Sequence, residues 1–325
     1  MNRKSHAALF ALALFVAFTA TFAYAASYPT RAITIIVPQP PGGGTDIIAR
    51  LVGHKLSEQL DVPVVIENRP GAGTMVGAAA VARAAPDGYT LLAGVTASMA
   101  VNPSLFKKLP YDPIGDFTPV GMLADFSFVL VVSKNLPAHS VRELVDLAKK
   151  SPGQINFASG GVGTGQHLSG EMFKLLAGIN LTHVPYRGSS PAYIDVISGR
   201  TPIMFDSLVS AYGQIKAGAV QALAVTSKKR SSLLPDVPTM EEAGVPNFEN
   251  SVWFGLWAPR NVPSPVVKTL YAQIEKAISN PEVQAKIEKD GGEIMHTPLK
   301  EIEPFVEREI AKWADIVKRA NIQPQ

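Results

Sequence analysis

The fold is decided by the stretch ITIIVPQPPGGGTD, residues 33–46, whose plan returns in INFASGGVGTG, residues 155–165. In each copy a short apolar strand runs into a glycine-rich turn. An amphipathic run follows, to Leu60 in the first copy and to Leu176 in the second, and a second strand closes the unit. Glycine lets the backbone turn sharply, and a helix that starts there points unpaired N–H groups at the turn. The repeat therefore predicts two glycine turns that grip a small anion.

Crossover connections extend each copy to three strands and two helices. This predicts an α/β fold of two lobes, each a mostly parallel sheet flanked by helices. The apolar run Leu123–Ser133 is interpreted as the strand that crosses into lobe two, and Trp253–Ala258 as the return strand. The chain thus crosses the hinge twice. Lobe one is predicted to take residues 27–125 plus 250–325, and lobe two residues 126–249.

The N-terminus has the pattern of a secretory signal peptide at residues 1–25. Two basic residues precede an apolar run, Ala7–Phe18, and Ala23-Tyr24-Ala25 offers small residues for cleavage. A membrane anchor is the alternative, but the run is shorter than the roughly 20 residues that span a bilayer. The pattern predicts export to the periplasm with removal of the signal.

Composition excludes several classes of function. The 325 residues include no cysteine, so disulfides, thiolate nucleophiles and cysteine-bound metals are excluded. The formal charge is +3, and without Arg3 and Lys4 it is 28 basic minus 27 acidic residues, or +1. Nothing in this balance predicts nucleic-acid binding. The six histidines are scattered without the spacing of metal ligands, so we expect neither a metal nor a cofactor.

The first glycine turn supplies one set of candidate ligand contacts. Three consecutive glycines favour close approach of the backbone to a ligand, and an ordinary strand-to-helix turn is the alternative. Thr45 is predicted to cap the next helix and to offer its hydroxyl. Asp46 either orients the loop or accepts a hydrogen bond from a ligand amine. The candidates are Pro41, Gly42, Gly43, Gly44, Thr45 and Asp46.

The second glycine turn is similar to a phosphate-binding loop but lacks the lysine that such a loop needs after its last glycine. Gln166 and His167 follow instead, so the turn favours a carboxylate or another small anion over a nucleotide. His167 either donates to the ligand or is satisfied by backbone at a helix start. The candidates are Ser159, Gly160, Gly161, Gly163, Thr164 and His167.

Further candidates lie beyond the carboxyl ends of other predicted strands, where parallel sheets bind ligands. The segments Asn68–Gly73 and Gly94–Ser98 are two such ends, and Asp206 follows a third strand. Arg187 either pairs with a ligand carboxylate or is an ordinary surface arginine. The candidates are Ala72, Gly73, Thr96, Ser98, Tyr186, Arg187 and Asp206.

Asp46 and Asp206, one in each predicted lobe, form a candidate pair of carboxylates. In a periplasmic hydrolase they would act as acid and base. In a receptor they would hold an amine, a hydroxyl or a bridging water. The sequence contains neither a nucleophile elbow nor a zinc-protease motif. A binding protein that is not an enzyme is therefore favoured, and the hydrolase stays as the alternative.

A series of motifs occurs in order along the chain: Tyr28-Pro, Pro38–Arg50, Glu67–Gly73, Pro86–Leu92, Asn102-Pro, His183–Gly188, Leu234–Thr239 and Trp253–Pro259. Together they resemble the Bug-type family, the periplasmic solute receptors of tripartite tricarboxylate transporters. The resemblance covers the chain from Tyr28 to its end.

The resemblance implies a Venus flytrap, the two-lobed fold of periplasmic binding proteins, which closes on carboxylated solutes. It implies that Gly42–Asp46 and Ser159–Thr164 hold one carboxylate, largely by backbone N–H groups and ordered water. The expected partners are a small organic acid (a mono-, di- or aromatic carboxylate) and the subunits of a membrane permease. A receptor that presents its solute to a membrane sensor is the remaining alternative.

Overall fold

A computed structural model describes residues 28–186 and 188–324 of the chain. The predicted signal peptide, residues 1–25, and the candidate Arg187 lie outside the described residues. Across the described ranges, no helix combines the length and the apolar character that crossing a membrane requires.

The strands are β1 (Ile33–Val37), β2 (Val64–Asn68), β3 (Thr90–Val95), β4 (Phe117–Ser133), β5 (Asn156–Ser159), β6 (Thr182–Pro185), β7 (Ile203–Ser207), β8 (Val220–Val225), β9 (Ser251–Pro259) and β10 (Gly292–Ile294). The α-helices are α1 (Gly44–Leu60), α2 (Met75–Ala82), α3 (Asn102–Leu105), α4 (Val141–Lys150), α5 (Gly165–Ala177), α6 (Ser189–Ser198), α7 (Leu208–Lys216), α8 (Ser264–Ile278), α9 (Pro281–Lys289) and α10 (Leu299–Arg319). A 3-10 turn, Ala72–Thr74, precedes α2, and a π-helical turn, Ala97–Val101, precedes α3.

β1 and β5 occupy equivalent positions in the fold. β1 lies between β2 and β3 and is parallel to both, and β5 lies between β6 and β7 and is parallel to both. β1 is apolar at all positions except Thr34 and is mostly buried, as expected for a parallel strand covered on both faces. The predicted repeat is therefore present, and each glycine turn follows the central strand of its unit.

β4 joins the two units. Up to Ser127 it pairs antiparallel with β9, and from Phe128 it pairs with β7 and β8. The sheet order is β2-β1-β3-β9-β4-β7-β5-β6, with β8 and β10 also on β4. We call the β1 side of this change lobe one and the β5 side lobe two. The predicted boundaries near residues 125 and 250 stay a prediction, which the change of partner at Ser127 supports.

The prediction began β4 at Leu123, six residues after its start at Phe117. Pro119 and Gly121 interrupt the strand pattern there, since neither residue favours a strand interior. The pairing with β9 shifts register between these two residues. The tertiary partner β9 therefore supports a strand that local sequence disfavours.

One hydroxyl group ties the two passages between the lobes. The Phe128 N–H donates to Thr226 Oγ1 at 2.8 Å, and Thr226 Oγ1 donates to the Asn250 carbonyl at 2.5 Å. The Asn250 Nδ2 group donates to Ser169 Oγ at 2.6 Å and to the Gly165 carbonyl at 3.3 Å. The hinge is thus bonded directly to the first turn of α5, which begins at the second glycine turn.

The last three helices pack mainly on lobe one. α8 packs on β4 and α1, and α9 packs on α1 and α8. α10 contacts the π-helical turn and α3, and it also contacts α5 of lobe two. Trp313 of α10 is 1% exposed, so this helix closes the boundary between the lobes with a large apolar side chain.

Candidate ligand-binding site

Two adjoining chambers lie between the lobes. Chamber A has a volume of about 270 Å³ and chamber B about 320 Å³. Gln39 and Val252 line both chambers, so the two share a wall. Chamber A is lined by Gly73, Thr74, Thr96 and Ala97 of lobe one and by Val162, Gly163, Thr164 and Gly165 of lobe two. Chamber B is lined by Gly42, Gly44 and Thr45 of lobe one and by Ser207, Val209 and Ser210 of lobe two.

Only some of the predicted site residues line the two chambers. Those that line chamber A are Gly73, Thr96, Gly163 and Thr164, and those that line chamber B are Gly42, Gly44 and Thr45. The described candidates that line neither are Pro41, Gly43, Asp46, Ala72, Ser98, Ser159, Gly160, Gly161, His167, Tyr186 and Asp206. The two glycine turns therefore open on neighbouring chambers, and their joint grip on one carboxylate stays a prediction.

The first glycine turn is closed by its own carboxylate. The Gly42 N–H donates to Asp46 Oδ2 at 2.9 Å, and Asn68 Nδ2 donates to Asp46 Oδ1 at 2.9 Å. The Arg50 guanidinium bonds both carboxylate oxygens, at 2.9 and 3.0 Å. Hydrogen bonding from Arg50 lowers the pKa of Asp46 to about 2. Asp46 is 3% exposed, so its contacts favour the loop-orienting role over a bond to a ligand amine.

The predicted cap at Thr45 is wrong. α1 begins at Gly44 with Gly43 as its cap residue, two positions before the predicted cap, and no side chain caps it. The Thr45 hydroxyl instead donates to Gln39 Oε1. Thr45 thus fixes the side chain that separates the two chambers, a contact six positions away that cap preferences do not anticipate.

The second glycine turn is held by neutral side chains. Ser159 Oγ lies 2.6 Å from His183 Nε2 and accepts from the Gly161 N–H at 3.1 Å. The Gln166 side-chain carbonyl accepts the Gly160 N–H. Thr164 caps α5 through its hydroxyl, which also donates to the Gly161 carbonyl at 2.7 Å. These bonds shape the turn from within and leave the first N–H groups of α5 without helical acceptors.

His167 is satisfied by the protein, the second of the two alternatives. Its Nδ1 accepts the Gly163 N–H at 3.1 Å, and its Nε2 lies 3.9 Å from Glu171 Oε1. Its ring stacks on His183 with centroids 4.0 Å apart. Burial lowers the pKa of His167 to about 3 and that of His183 to about 4. Both imidazoles are therefore neutral at pH 7 and stabilise the turn rather than attract an anion.

Asp206 is fully buried behind the second glycine turn. Its Oδ1 accepts from Gln166 Nε2 at 2.6 Å and from Ser189 Oγ at 2.9 Å, while its Oδ2 has no hydrogen-bond partner among the described residues. Burial raises the pKa of Asp206. Asp206 thus orients Gln166, which holds Gly160. No hydrogen bond joins it to Asp46 in the described chain, and each carboxylate is bound within its own lobe.

The hydroxyl groups of three other candidates form hydrogen bonds within the protein. Ser98 is fully buried, and its hydroxyl pairs with the Val95 N–H at 3.0 Å. The Tyr186 hydroxyl donates to Asp195 at 2.7 Å. The Thr96 hydroxyl lies at the wall of chamber A but accepts the Trp253 N–H at 3.0 Å. The sequence pattern located these residues at strand ends and gave no signal of their bonding partners.

Asn102 shapes the lobe-one wall of chamber A, and sequence analysis did not name it as a site residue. Four consecutive residues, Gly71 to Thr74, have positive φ angles of 138°, 45°, 61° and 81°. Such angles are uncommon for Ala72 and Thr74 and concentrate at functional sites. Asn102 Nδ2 donates to the Gly73 carbonyl at 2.8 Å and to Thr74 Oγ1 at 3.2 Å. The only sequence signal was the Asn102-Pro motif.

Neither chamber contains a charged side chain among its described lining residues. Chamber A meets the start of α5 at Gly163, Thr164 and Gly165, of which two have no side chain. At the start of α5 the unpaired N–H groups and the helix dipole favour a negative charge. The arrangement suits an anion held by main-chain amides.

Comparison with known proteins identifies the relatives of this fold. The family described as "Tripartite tricarboxylate transporter family receptor" matches residues 48–322. The solved structure of the periplasmic binding protein BugD is 35% identical, with a TM-score of 0.78, and covers 92% of this chain and 100% of that chain.

Two further solved structures contain ligands. A protein of R. palustris with adipate is 36% identical, with a TM-score of 0.82 over 92% of this chain and 100% of that chain. MatC of Rhodopseudomonas palustris with bound malate is 33% identical, with a TM-score of 0.77 over 89% of this chain and 100% of that chain. These likenesses confirm the predicted two-lobed periplasmic-binding fold.

Proposed function

Because this chain belongs to the family of tripartite tricarboxylate transporter receptors, we propose that it captures a small carboxylate between its lobes in the periplasm. The lobes close on the anion, and the closed form delivers it to a membrane permease. The family consists of receptors for solutes. The adipate and malate held by two relatives support a carboxylate as the solute.

The observation that carries this proposal is chamber A, where the start of α5 faces Gly73 and Thr74 across the boundary between the lobes. Hydrogen bonds to a charged group contribute roughly 1.5–3 kcal/mol each. Three or four of them, less the cost of ordering the ligand, correspond to micromolar affinity, on the order of −8 kcal/mol. Main-chain amides alone supply this moderate affinity. Moderate affinity suits a receptor that must also release its ligand to a permease.

Closure of the lobes completes the site, since each chamber takes lining residues from both lobes. Hinge closure around a ligand is a common transition of two-lobed receptors. The bond from Thr226 Oγ1 to the Asn250 carbonyl, 2.5 Å long, holds the two passages of the chain together. Rotation about this pair would carry the second glycine turn toward the 71–74 segment as one unit.

The test is calorimetric titration of the mature chain, without residues 1–25, against a broad panel of mono-, di- and aromatic carboxylates. We expect stoichiometric binding of at least one acid with micromolar affinity, and a constant ligand concentration over hours. Absence of binding across the panel would overturn the proposal. Steady loss of the ligand would support the hydrolase alternative instead.

The permease step needs a separate test, because a receptor for a membrane sensor would bind the same ligand. Uptake of the bound acid into cells that contain the permease should require the receptor and should disappear when the receptor gene is deleted. Loss of a transcriptional response with unchanged uptake would favour the sensor alternative.

A further inference from the structure

We infer that the preferred solute is a monocarboxylate with an apolar body, alkyl or aryl, that lies in chamber A. This inference rests on the proposed function and narrows its class of ligand. It sets this chain apart from the relatives seen with the dicarboxylates adipate and malate.

The wall of chamber A beyond the glycine turn is apolar. Lobe one contributes Val95 and Val101 together with Leu105, Phe106 and Trp313, and lobe two contributes Leu168. Val162, at the edge of the glycine turn, is 53% exposed although it lines the chamber. An apolar body in chamber A would cover this valine and contact both lobes, so it would favour closure.

Three polar side chains of chamber A already have protein partners. Asn102 donates to the Gly73 carbonyl, Asn250 to Ser169, and Thr164 to the Gly161 carbonyl. Among the described lining residues, Gln39 alone has a side-chain amide N–H₂ group without an acceptor, and it lies at the junction with chamber B. The apolar part of chamber A therefore provides no free side-chain amide for a second carboxylate.

A second negative charge would also find no cation, because no lysine, arginine or histidine lines chamber A in the described chain. Burying an unpaired carboxylate is strongly unfavourable, whereas burying apolar surface is favourable. The volume is adequate, since an apolar cavity of about 150 Å³ holds a benzene ring and chamber A measures about 270 Å³. A ring or a short alkyl chain with one carboxylate at the start of α5 fits these conditions.

Two matched pairs of probes test the inference: hexanoate against adipate, and benzoate against benzene-1,4-dicarboxylate. Each pair keeps the carbon frame and changes the number of carboxylates. We expect the monocarboxylate of each pair to bind the mature chain tighter by about tenfold or more. Tighter binding of either dicarboxylate would overturn the inference and leave the proposed function intact. Failure of every carboxylate in the broad panel would instead overturn the proposed function.

A pair of variants locates the apolar body. Phe106→Gln adds a polar amide to the wall of chamber A, so the preference for hexanoate over adipate should fall by about fivefold or more. Phe305→Gln is the matched control, because Phe305 is also half-buried against the same core but lines neither chamber. Its preference should equal that of the wild type. An unchanged preference in Phe106→Gln would contradict this placement of the ligand.

Discussion

The two glycine turns share a sequence pattern. They differ in what balances the partial positive charge at the start of the helix that follows each turn. α1 carries Asp46 in its first turn, and this carboxylate takes the Gly42 N–H and pairs with Arg50. α5 has no acidic residue in its first turn. The partial positive charge at the start of α1 is therefore balanced within the loop, whereas the charge at the start of α5 is available to a ligand anion.

The side chains that hold the two turns in place also differ in charge. The first turn rests on a charged pair, the buried Asp46 and the Arg50 side chain, which is 51% exposed. The second rests on neutral side chains, the stacked imidazoles of His167 and His183 and the Gln166 amide, with the buried Asp206 behind them. A ligand anion beside the second turn thus meets oriented dipoles, and the Gln166 amide stands between the turn and the Asp206 carboxylate. This comparison assigns the turns unequal roles, which substitutions can test.

Valine substitutions in the two turns should give the largest difference. Gly163 has a φ of 80°, and a Cβ atom there would lie 2.7 Å from Leu105 Cδ1 of lobe one. Gly43 has a φ of −79°, and its nearest contact would be the Pro40 carbonyl at 3.6 Å. We expect Gly163→Val to weaken binding about 100-fold or more, or about 2.7 kcal/mol, and Gly43→Val by about tenfold or less.

Calorimetry with the tightest acid of the panel measures both changes. Gly178→Val controls for backbone strain, since Gly178 has a φ of 62° at the other end of α5 and nothing within 4 Å of an added Cβ. It should bind like the wild type. Equal losses for Gly163→Val and Gly43→Val would show that the turns contribute equally and would end the distinction drawn above.

Sequence analysis could predict what depends on local pattern. The apolar strand before each glycine turn and the end of the first helix at Leu60 were predicted as they are found, because apolar periodicity is a local signal. The glycine turns were located for the same reason. Their division between two chambers was not predictable, because chamber A is completed by Asn102 and Trp313, which lie in other parts of the sequence.

The roles of single polar residues were the least predictable part. Gln166 meets Asp206 across 40 positions, and Ser159 meets His183 across 24. Such partners are decided by the packing of lobe two, which one sequence does not display. A histidine at a helix start therefore allowed two interpretations until its neighbours were known.

Substitution of Asp206 should separate its hydrogen bonds from its charge. Asp206→Ala removes an acceptor that Gln166 Nε2, the Ser189 hydroxyl and the Ser207 N–H share, so we expect a loss of about 2 kcal/mol in the free energy of unfolding. Asp206→Asn keeps an acceptor at the Oδ1 position. Burial raises the pKa of Asp206, which means that its ionised form destabilises the folded state at pH 7. Asp206→Asn should therefore be neutral or slightly stabilising in urea unfolding.

The two Asp206 variants also report on the second turn. Asp206→Ala should weaken ligand binding because Gln166 is no longer oriented toward Gly160, and Asp206→Asn should bind as the wild type does. A large loss of affinity in Asp206→Asn at unchanged stability would mean that the carboxylate itself contacts the ligand.

Acid should weaken the second turn first. Burial holds the pKa of His183 at about 4, below the ordinary value of about 6.5. The unfolded chain thus binds more protons, and stability that is complete above pH 6.5 is lost as the pH falls toward 4. At pH 5.5 this costs about 1–1.5 kcal/mol per imidazole. His183→Gln should reduce the difference in unfolding free energy between pH 7 and pH 5.5 by that amount.

His54→Gln is the control for this pH dependence. The His54 side chain lies on α1 and is 75% exposed, so its replacement should keep the wild-type difference between pH 7 and pH 5.5. If His183→Gln has the same pH dependence as the wild type, the buried imidazole stack does not limit stability in acid.

The smallest expected effect is that of Asp46→Asn, which removes the charge from the first turn. Hydrogen bonding from Arg50 lowers the pKa of Asp46 to about 2, so its stabilisation is present above about pH 4 and is lost as the pH falls toward 2. Since Arg50 is half exposed, we expect Asp46→Asn to cost about 1 kcal/mol at pH 7 in urea unfolding.

Asp87→Asn, which breaks the exposed pair with Arg31, should cost less. Well below pH 2 Asp46→Asn and the wild type should converge, because the wild-type carboxyl is then protonated. A deficit that persists there would show that Asp46 acts through its shape rather than its charge, and the electrostatic contrast between the two turns would then fail.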